Sequence, residues 1–239
     1  MKLLALDTST EACSAALFID GEISQRFEIT PKAHTKLLLP MIDSLLAEAE
    51  LSLSQLHALA FGCGPGSFTG LRIATGVVQG LAFGADLPVV PVSTLAALAQ
   101  QFLPPLAFVA TDARIGEIFW GVYQRNTNGF MELVGKETVL PVSHIEFPTQ
   151  SALGIGSGWR VYKDELLART DNFVSEIESD VLPQSSLIAK LGVYGFQCGL
   201  AVAAEHAQPV YLRDKVAQTE TERTQAKMDK SAALMDNAP

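Results

Sequence analysis

Two segments of the chain begin in the same way, one at its start and one near its middle. Residues 3–7 and residues 108–112 are apolar runs, and each of them ends in an aspartate. A second apolar segment follows each run at the same offset, at residues 13–18 and at residues 118–123. Each copy predicts two strands joined by a tight turn. The repeat therefore predicts a duplicated α/β fold, whose two lobes face one another across a cleft.

The first copy continues with a regular alternation of helices and strands. Its predicted strands span residues 3–7, 12–19, 23–29, 56–62 and 89–92, and its predicted helices span residues 35–50, 68–84 and 93–101. Pro104 and Pro105 then interrupt the pattern, which indicates a domain boundary at this point. Residues 1–104 are predicted to form an N-terminal lobe.

The second copy has the same layout with weaker signals. Strands are predicted at residues 108–112, 118–123 and 138–142, a Gly-rich bend at residues 152–158, and a helix at residues 185–204. We assign residues 105–213 to a C-terminal lobe and expect a mixed sheet flanked by helices in each lobe, the layout of the actin-like (ribonuclease H-like) fold. Residues 214–239 contain no aromatic residue and are expected to be a flexible polar tail, to which we assign no function.

The composition excludes several classes of function. The net charge of -9 and the absence of a Lys/Arg stripe interleaved with aromatic residues disfavour direct binding of nucleic acid. No apolar run approaches the ~20 residues of a membrane helix, and an early aspartate interrupts any signal-peptide core. The three cysteines are far apart and form no C-x-x-C pair, which favours reduced thiols. We expect a cytoplasmic protein that does not contact a membrane.

Five motifs occur together in an order that resembles one known family. They are residues 4–10 (LALDTST), His34 with residues 37–42 (LLLPMI), residues 64–72 (GPGSFTGLR), residues 112–119 (DARIGEIF) and residues 209–213 (PVYLR). Together they resemble the TsaB (YeaZ) family of the actin-like ATPase superfamily, over residues 1–213. The chain departs from that family at residues 216–222 (VAQTETE), which are acidic where the family has a short basic extension.

The resemblance implies a non-catalytic function. Members of the family bind and activate TsaD, together with TsaE, so that a threonylcarbamoyl group is formed on N6 of adenosine 37 in tRNAs that read codons starting with adenine. The resemblance thus implies a heterodimer with TsaD, a homodimer when TsaD is missing, contact with TsaE, and contact with tRNA only through the complex. The alternative is an active small-molecule kinase or ATPase of the actin-like superfamily.

The first predicted turn carries the residues that actin-like ATPases use to hold phosphate. Asp7 is placed to hold a metal ion through water, and Thr8, Ser9 and Thr10 could meet phosphate oxygens. The hydroxyl groups could equally satisfy the backbone of their own turn, as Ser and Thr do in many tight connections. The sequence leaves open whether this is a vestigial phosphate site or only a turn.

The remaining groups of an enzyme site are missing from the sequence. The metal-binding H-x-x-x-H helix that the resemblance implies for TsaD is absent, because Leu38 lies four residues after His34. Ser67 lies in no G-x-S-x-G elbow, and no Lys-Ser or Lys-Thr pair follows the glycines of residues 62–66. We therefore predict no catalytic residue, no metal site and no required cofactor, and leave weak binding of ATP or ADP open.

The helix predicted at residues 68–84 has glycine at every fourth position. Gly76, Gly80 and Gly84 each cost about 1 kcal/mol relative to alanine, which close packing of another helix would offset. That neighbour is either internal or another chain, whereas the resemblance implies a helical bundle with TsaD. The residues predicted to bind the partner are Leu38, Ile42, Leu45, Leu71, Thr75, Gly76, Val78 and Gly80.

Overall fold

Two five-stranded mixed sheets form the framework of the protein. A computed structural model describes residues 1–170 and 173–213, so the predicted tail at residues 214–239 lies outside the described residues. The first sheet has the order β3-β2-β1-β4-β5 and the second the order β10-β9-β6-β7-β8. The strands are β1 (Lys2–Asp7), β2 (Ala12–Ile19), β3 (Glu22–Ile29), β4 (Ala58–Gly64), β5 (Val89–Ser93), β6 (Leu106–Arg114), β7 (Glu117–Arg125), β8 (Met131–Pro141), β9 (Ala152–Ile155) and β10 (Val174–Glu178).

The two sheets have the same topology, which confirms the predicted duplicated α/β fold. In the first sheet, β1 pairs antiparallel with β2 and parallel with β4. In the second sheet, β6 pairs antiparallel with β7 and parallel with β9. The apolar run that ends in an aspartate is therefore the central strand of each lobe.

Six helices of the described residues cover the sheets. They are α1 (His34–Glu48), α2 (Phe68–Ala85), α3 (Thr94–Gln100), α4 (Gly158–Val161), α5 (Lys163–Arg169) and α6 (Ser185–Gln197). Short 3-10 turns lie at Leu53–Gln55, Val142–His144 and Ala204–His206. Among the described residues, none of these helices combines the length and the apolar character that crossing a bilayer requires.

The strand β1 is buried on both of its faces, and a different set of helices covers each face. Leu4 and Leu6 point to the side where α1 and α2 pack. Leu3 and Ala5 point to the opposite side, where they cluster with Ile188 of α6. Because successive strand residues face opposite sides, a continuous apolar run is what a sheet covered twice requires.

The helix α6 differs from its prediction in length and in location. It ends at Gln197 rather than at residue 204, because Gly199 adopts a φ of +74° and ends the helical conformation. It packs on the first sheet so closely that a Cβ at Gly192 would lie 2.6 Å from Cβ of Ala60. The predicted C-terminal lobe, residues 105–213, therefore does not include α6, which packs on the first sheet and completes the N-terminal lobe.

The boundary at Pro104 and Pro105 precedes the second sheet, but packing crosses it. Leu95 and Leu98 of α3 cluster with Val109 of the second sheet, although α3 precedes the prolines. The helix α3 therefore packs against both sheets. Two strand limits also differ from prediction: β4 begins two residues later than expected, and β8 begins at Met131 rather than at residue 138.

Candidate functional site

The carboxyl group of Asp7 lies at the end of β1 and is sealed inside the protein. Its Oδ1 accepts hydrogen bonds from the backbone N–H of Ser9 at 3.1 Å and from the hydroxyl of Ser9 at 2.9 Å. Its Oδ2 has no hydrogen-bond partner among the described residues and occupies the space above Gly62, where any Cβ would overlap it. Asp7 is 0% exposed, so water that could carry a metal ion does not reach it.

The other hydroxyl groups of the turn are also bonded within the chain. The Thr8 hydroxyl donates to the carbonyl of Gly70 at 2.7 Å, and the Ser9 carbonyl accepts from the N–H of Ser67 at 2.7 Å. The Thr10 hydroxyl accepts from the N–H of Ala12 at 3.2 Å. The turn therefore packs on the loop that leads into α2, and its groups do not form an open phosphate cradle.

His34 connects the first residue of α1 to the same turn. Its Nε2 lies 2.9 Å from the carbonyl oxygen of Thr10 and 3.2 Å from that of Ala12. Because both oxygens are acceptors, this nitrogen carries a hydrogen and donates. His34 is buried and acts as a structural tie between the helix and the hairpin.

The second lobe has an aspartate, Asp112, at the equivalent place, and this aspartate pairs with an arginine. Asp112 accepts from the backbone N–H of Arg114 at 2.9 Å, and its Oδ2 lies 3.1 Å from the guanidinium of Arg114. The hydroxyl of Tyr162 lies 3.4 Å from Oδ1. Both carboxylate oxygens of Asp112 thus already contact groups of the chain.

A cleft of about 860 Å³ lies between the lobes. Ser9, Thr10 and Phe68 line it from the first lobe, and Asp112 and Arg160 line it from the second. Neither Asp7 nor Thr8 belongs to its lining. In the described residues, no group of three or more His, Cys, Asp or Glu side chains is arranged to hold a metal ion.

The arginines of the cleft are occupied by neighbouring carboxylates. Arg160 pairs with Asp180, and Arg213 pairs with Glu117. Arg114 pairs with Asp112, as described above. The metal-bound nucleotide that an actin-like fold implies does not fit this arrangement, because Asp7 is buried and the arginines of the cleft are paired. Among the described residues, Lys32 is the one lysine or arginine of the lining without a carboxylate partner.

The helix α2 has one side that is left uncovered by residues 1–170 and 173–213. At Gly76, Gly80 and Gly84 a Cβ would meet no atom within 4 Å. Phe83, on the same side, is 82% exposed. We call this side, formed by Arg72, Gly76, Gly80, Phe83 and Gly84, the α2 outer face.

Comparison with known proteins identifies the family. A model of the TsaD family, described as tRNA N6-adenosine threonylcarbamoyltransferase, matches residues 26–222. The tRNA threonylcarbamoyladenosine biosynthesis protein TsaB of Escherichia coli (strain K12) is 41% identical over 225 residues, which cover 91% of this chain and 96% of that protein. The chain belongs to the TsaB family. The TsaB of Haemophilus influenzae is 38% identical over 90% of this chain and 95% of that protein.

The fold of the TsaB family agrees with the structure. YeaZ from Pseudomonas aeruginosa is 43% identical, and its structure covers 88% of this chain and 99% of its own with a TM-score of 0.82. The predicted actin-like fold with two lobes is thereby confirmed. The match to the TsaD model does not bring the H-x-x-x-H pair with it, since His34 is followed by Leu38, a buried core residue.

Six of the eight predicted partner-binding residues of this TsaB family chain lie in its own interior. Leu38, Ile42, Leu45, Leu71, Thr75 and Val78 are each at most 6% exposed. Their prediction as contact residues is wrong, because helical periodicity shows which residues share a side but not whether that side faces the core or a partner. Gly76 and Gly80 do lie on the α2 outer face.

Other exposed residues near these helices were missed by the sequence reasoning. The exposed residues are Arg72 and Phe83 of α2 and Leu39 of α1. A helical wheel places Arg72 and Phe83 beside the glycines, so the glycine period itself carried the signal for both. Leu39 lies in the continuous apolar run of residues 37–42, and its only signal is its position off the buried stripe of α1.

Burial of Asp7 makes stability depend on pH. Desolvation raises the pKa of Asp7 from 3.8 to about 7, although hydrogen bonds from Ser9 act in the opposite direction. The folded state therefore favours the protonated carboxyl, and this contribution to stability is lost as the pH rises from about 4 through 7. Its total is about 4 kcal/mol, or about 1.4 kcal/mol per pH unit within that window.

Asp7→Asn should remove this pH dependence. We expect the free energy of unfolding of the variant, minus that of the wild type, to increase as the pH rises from 5 to 7, because asparagine stays neutral. Urea denaturation of both proteins across this range measures the difference. Asp43→Asn, at an exposed position of α1, is the matched control and should follow the wild type. If the free energy of unfolding depended on pH in the same way for Asp7→Asn and for the wild type, folding would not raise the pKa of Asp7.

Proposed function

We propose that this chain is a non-catalytic subunit required for forming threonylcarbamoyladenosine on tRNA. The observation that carries the proposal is the sealed hairpin: Asp7 is buried, and the hydroxyls of Thr8 and Ser9 are bonded within the chain. Two relatives that match nearly the whole chain are named as biosynthesis proteins of this nucleoside. A subunit that binds a catalytic partner agrees with both.

The proposed partner is TsaD, and the α2 outer face is the proposed docking surface. Three glycines in one helix cost about 1 kcal/mol each relative to alanine, and nothing in the described chain packs against them to offset that cost. A helix of another protein can approach such a surface closely enough to gain extensive van der Waals contact. In isolation, a second copy of this chain would cover the same surface as a homodimer.

In the proposed mechanism this chain makes and breaks no bond. TsaD transfers the threonylcarbamoyl group from its adenylate to N6 of adenosine 37, with release of adenylate, and docking stabilises the conformation of TsaD that does so. TsaE, an ATPase, binds the assembly and resets it. With a net charge of -9, this chain contacts tRNA only through the complex, which we place in the cytoplasm.

The rival function is that of an actin-like kinase or ATPase, and the cleft of about 860 Å³ is what favours it. The paired arginines and the sealed Asp7 disfavour it, since phosphate transfer needs cations and a metal ion at the reacting phosphate. We propose that no cofactor is required and that any ATP or ADP in the cleft binds weakly. Pure protein should then release no phosphate from ATP above the rate of a blank.

Gly76→Leu tests the docking surface. A bulky side chain on the α2 outer face should hold the partner helix away and lower the affinity for TsaD at least tenfold, while thermal unfolding stays that of a folded protein. Isothermal titration of TsaD with each variant gives the affinity. Lys190→Leu adds the same side chain at an exposed position of α6 and is the matched control.

Modification of tRNA by the reconstituted TsaD, TsaE and this chain provides the second measurement. Gly76→Leu should abolish most of it, and Asp7→Asn should leave it unchanged. The opposite pattern, with Asp7→Asn inactive and Gly76→Leu active, would favour the enzyme and exclude the proposed subunit function.

A further inference from the structure

Arg72 lies in the N-terminal part of α2 and is held by two aromatic side chains. Its guanidinium carbon lies 3.8 Å from the ring centroid of Phe68, one helical turn before it. Its Nε donates a hydrogen bond to the hydroxyl of Tyr211 at 3.2 Å. The rings of Phe68 and Tyr211 are themselves in contact, with centroids 5.4 Å apart. Phe68, Arg72 and Tyr211 thus form one ordered group, which we call the Arg72 cluster.

The backbone around the cluster is anchored as well. The N–H of Val210 donates to the carbonyl of Cys63 at 2.7 Å, which fixes the residue before Tyr211. Gly64 adopts a φ of +121°, and a Cβ there would lie 2.6 Å from the carbonyl oxygen of Val210. Two residues after Tyr211, Arg213 pairs with Glu117 of the second lobe. The chain segment that carries Tyr211 is therefore anchored on both sides of this residue.

The outer edge of the guanidinium remains open. Within the described residues, the two Nη groups of Arg72 have no hydrogen-bond partner, and no carboxylate lies within 4.0 Å. By contrast, Arg114, Arg160 and Arg213 in the neighbouring cleft all pair with carboxylates of the chain. An arginine with its Nε held and its two Nη groups free presents the fork that binds a carboxylate in two parallel hydrogen bonds.

The position of Arg72 relates it to the docking surface. Residues four apart lie on one side of a helix, so Arg72 precedes Gly76 and Gly80 on the α2 outer face. A helix that packs on the glycines would run past the guanidinium. The Arg72 cluster also borders the cleft, since Phe68 and Tyr211 line it.

We propose that Arg72 binds a carboxylate side chain of the protein that docks on the α2 outer face, an inference that rests on the function proposed above. Phe68 and Tyr211 act as positioning residues, because they order the guanidinium before binding and so lower the entropy that binding must remove. Arginine supported by aromatic rings is also the kind of residue that dominates the binding energy of interfaces.

A protein carboxylate fits this group better than a phosphate of RNA. Strong binding of a phosphate backbone needs several free cations along its path. Here three arginines of the adjoining cleft are already paired with Asp112, Asp180 and Glu117, and the net charge of the chain is -9. A single carboxylate can be bound by the two Nη groups of Arg72 alone.

Arg72→Gln is the direct test, since glutamine keeps much of the side-chain length and loses the charge and the fork. We expect its affinity for TsaD, measured by isothermal titration, to fall about tenfold at low salt, and the difference from the wild type to shrink as salt rises. Arg72→Lys, which keeps the charge, should recover only part of the loss. Tyr211→Phe, which removes the hydroxyl that holds Nε, should weaken binding less than Arg72→Gln. Lys190→Gln removes one positive charge from exposed α6 and should bind as the wild type.

The results separate this inference from the function on which it rests. If Arg72→Gln binds like the wild type while Gly76→Leu does not bind, docking on α2 stands and the carboxylate contact is excluded. If both variants bind like the wild type, the α2 outer face is not the docking surface, and both proposals fail. If Arg72→Gln keeps its affinity for TsaD but lowers retention of tRNA by the complex, Arg72 serves RNA and the inference is overturned. Circular dichroism melts of each variant establish that the chain is folded.

Discussion

Replacing Val78 by aspartate should unfold the protein rather than merely detach a partner. Val78 is 0% exposed and packs in the cluster that joins α1 and α2 to the first sheet. A carboxylate there would be buried without a partner, and the packing of the valine methyl groups would be lost. We expect the free energy of unfolding to fall by at least about 4 kcal/mol, a large share of the stability of a typical domain. Urea denaturation followed by circular dichroism measures it.

The neighbouring position provides the control for this prediction. Gly76→Asp introduces the same charge two residues earlier on the same helix, at a site where a Cβ meets nothing within 4 Å. Its stability should stay within about 1 kcal/mol of the wild type, since an exposed side chain remains hydrated. Equal losses at both positions would contradict the burial of Val78 described here.

Gly70→Ala should destabilise the hairpin and α2 together. Gly70 lies in the first turn of α2, where a Cβ would overlap the carbonyl oxygen of Thr8, a backbone atom that cannot rotate away. Relief requires the β1–β2 turn and α2 to separate, which also breaks the hydrogen bond from the Thr8 hydroxyl to Gly70. We expect a loss of about 3 kcal/mol in the free energy of unfolding, measured by urea denaturation.

Gly80→Ala is the matched change in the same helix and should act in the opposite direction. No atom lies within 4 Å of the added Cβ, and alanine favours the helix by about 1 kcal/mol over glycine. The variant should therefore be more stable than the wild type. A destabilised Gly80→Ala, or an unaffected Gly70→Ala, would show that the two glycines do not differ in the way the packing indicates.

The duplicated fold was predictable because its signal lies in local sequence. Apolar runs that end in Asp7 and Asp112, each followed by a second strand at the same offset, are visible without any knowledge of contacts. The continuous apolar run of β1 and the helical spacing in α1 follow from the geometry of each element and from what covers it. The placement of α6 was not predictable in this way, since its apolar side would fit either sheet, and the contact of Gly192 with Ala60 joins residues far apart in sequence.

The site was less predictable, and for a physical reason. Leu45 and Val78 were expected at an interface, but an apolar stripe looks the same whether its own sheet or another protein covers it. Thr8 and Ser9 alone also could not show whether the hairpin is an open phosphate site or a closed turn. It depends on Gly66 and Gly70, whose missing side chains let the loop before α2 approach the turn and bond to it.

The return of α6 to the first sheet has a consequence for synthesis on the ribosome. Leu3 and Ala5 of β1 pack against Ile188 and Leu191 of α6. One side of β1 therefore stays exposed to solvent until nearly the whole chain has been synthesised. The N-terminal portion cannot mature ahead of the rest, as successive domains of many proteins do. Folding of the nascent chain therefore depends on contacts between residues far apart in sequence. Until residue 197 leaves the exit tunnel, the apolar side of β1 is available for chaperones to bind.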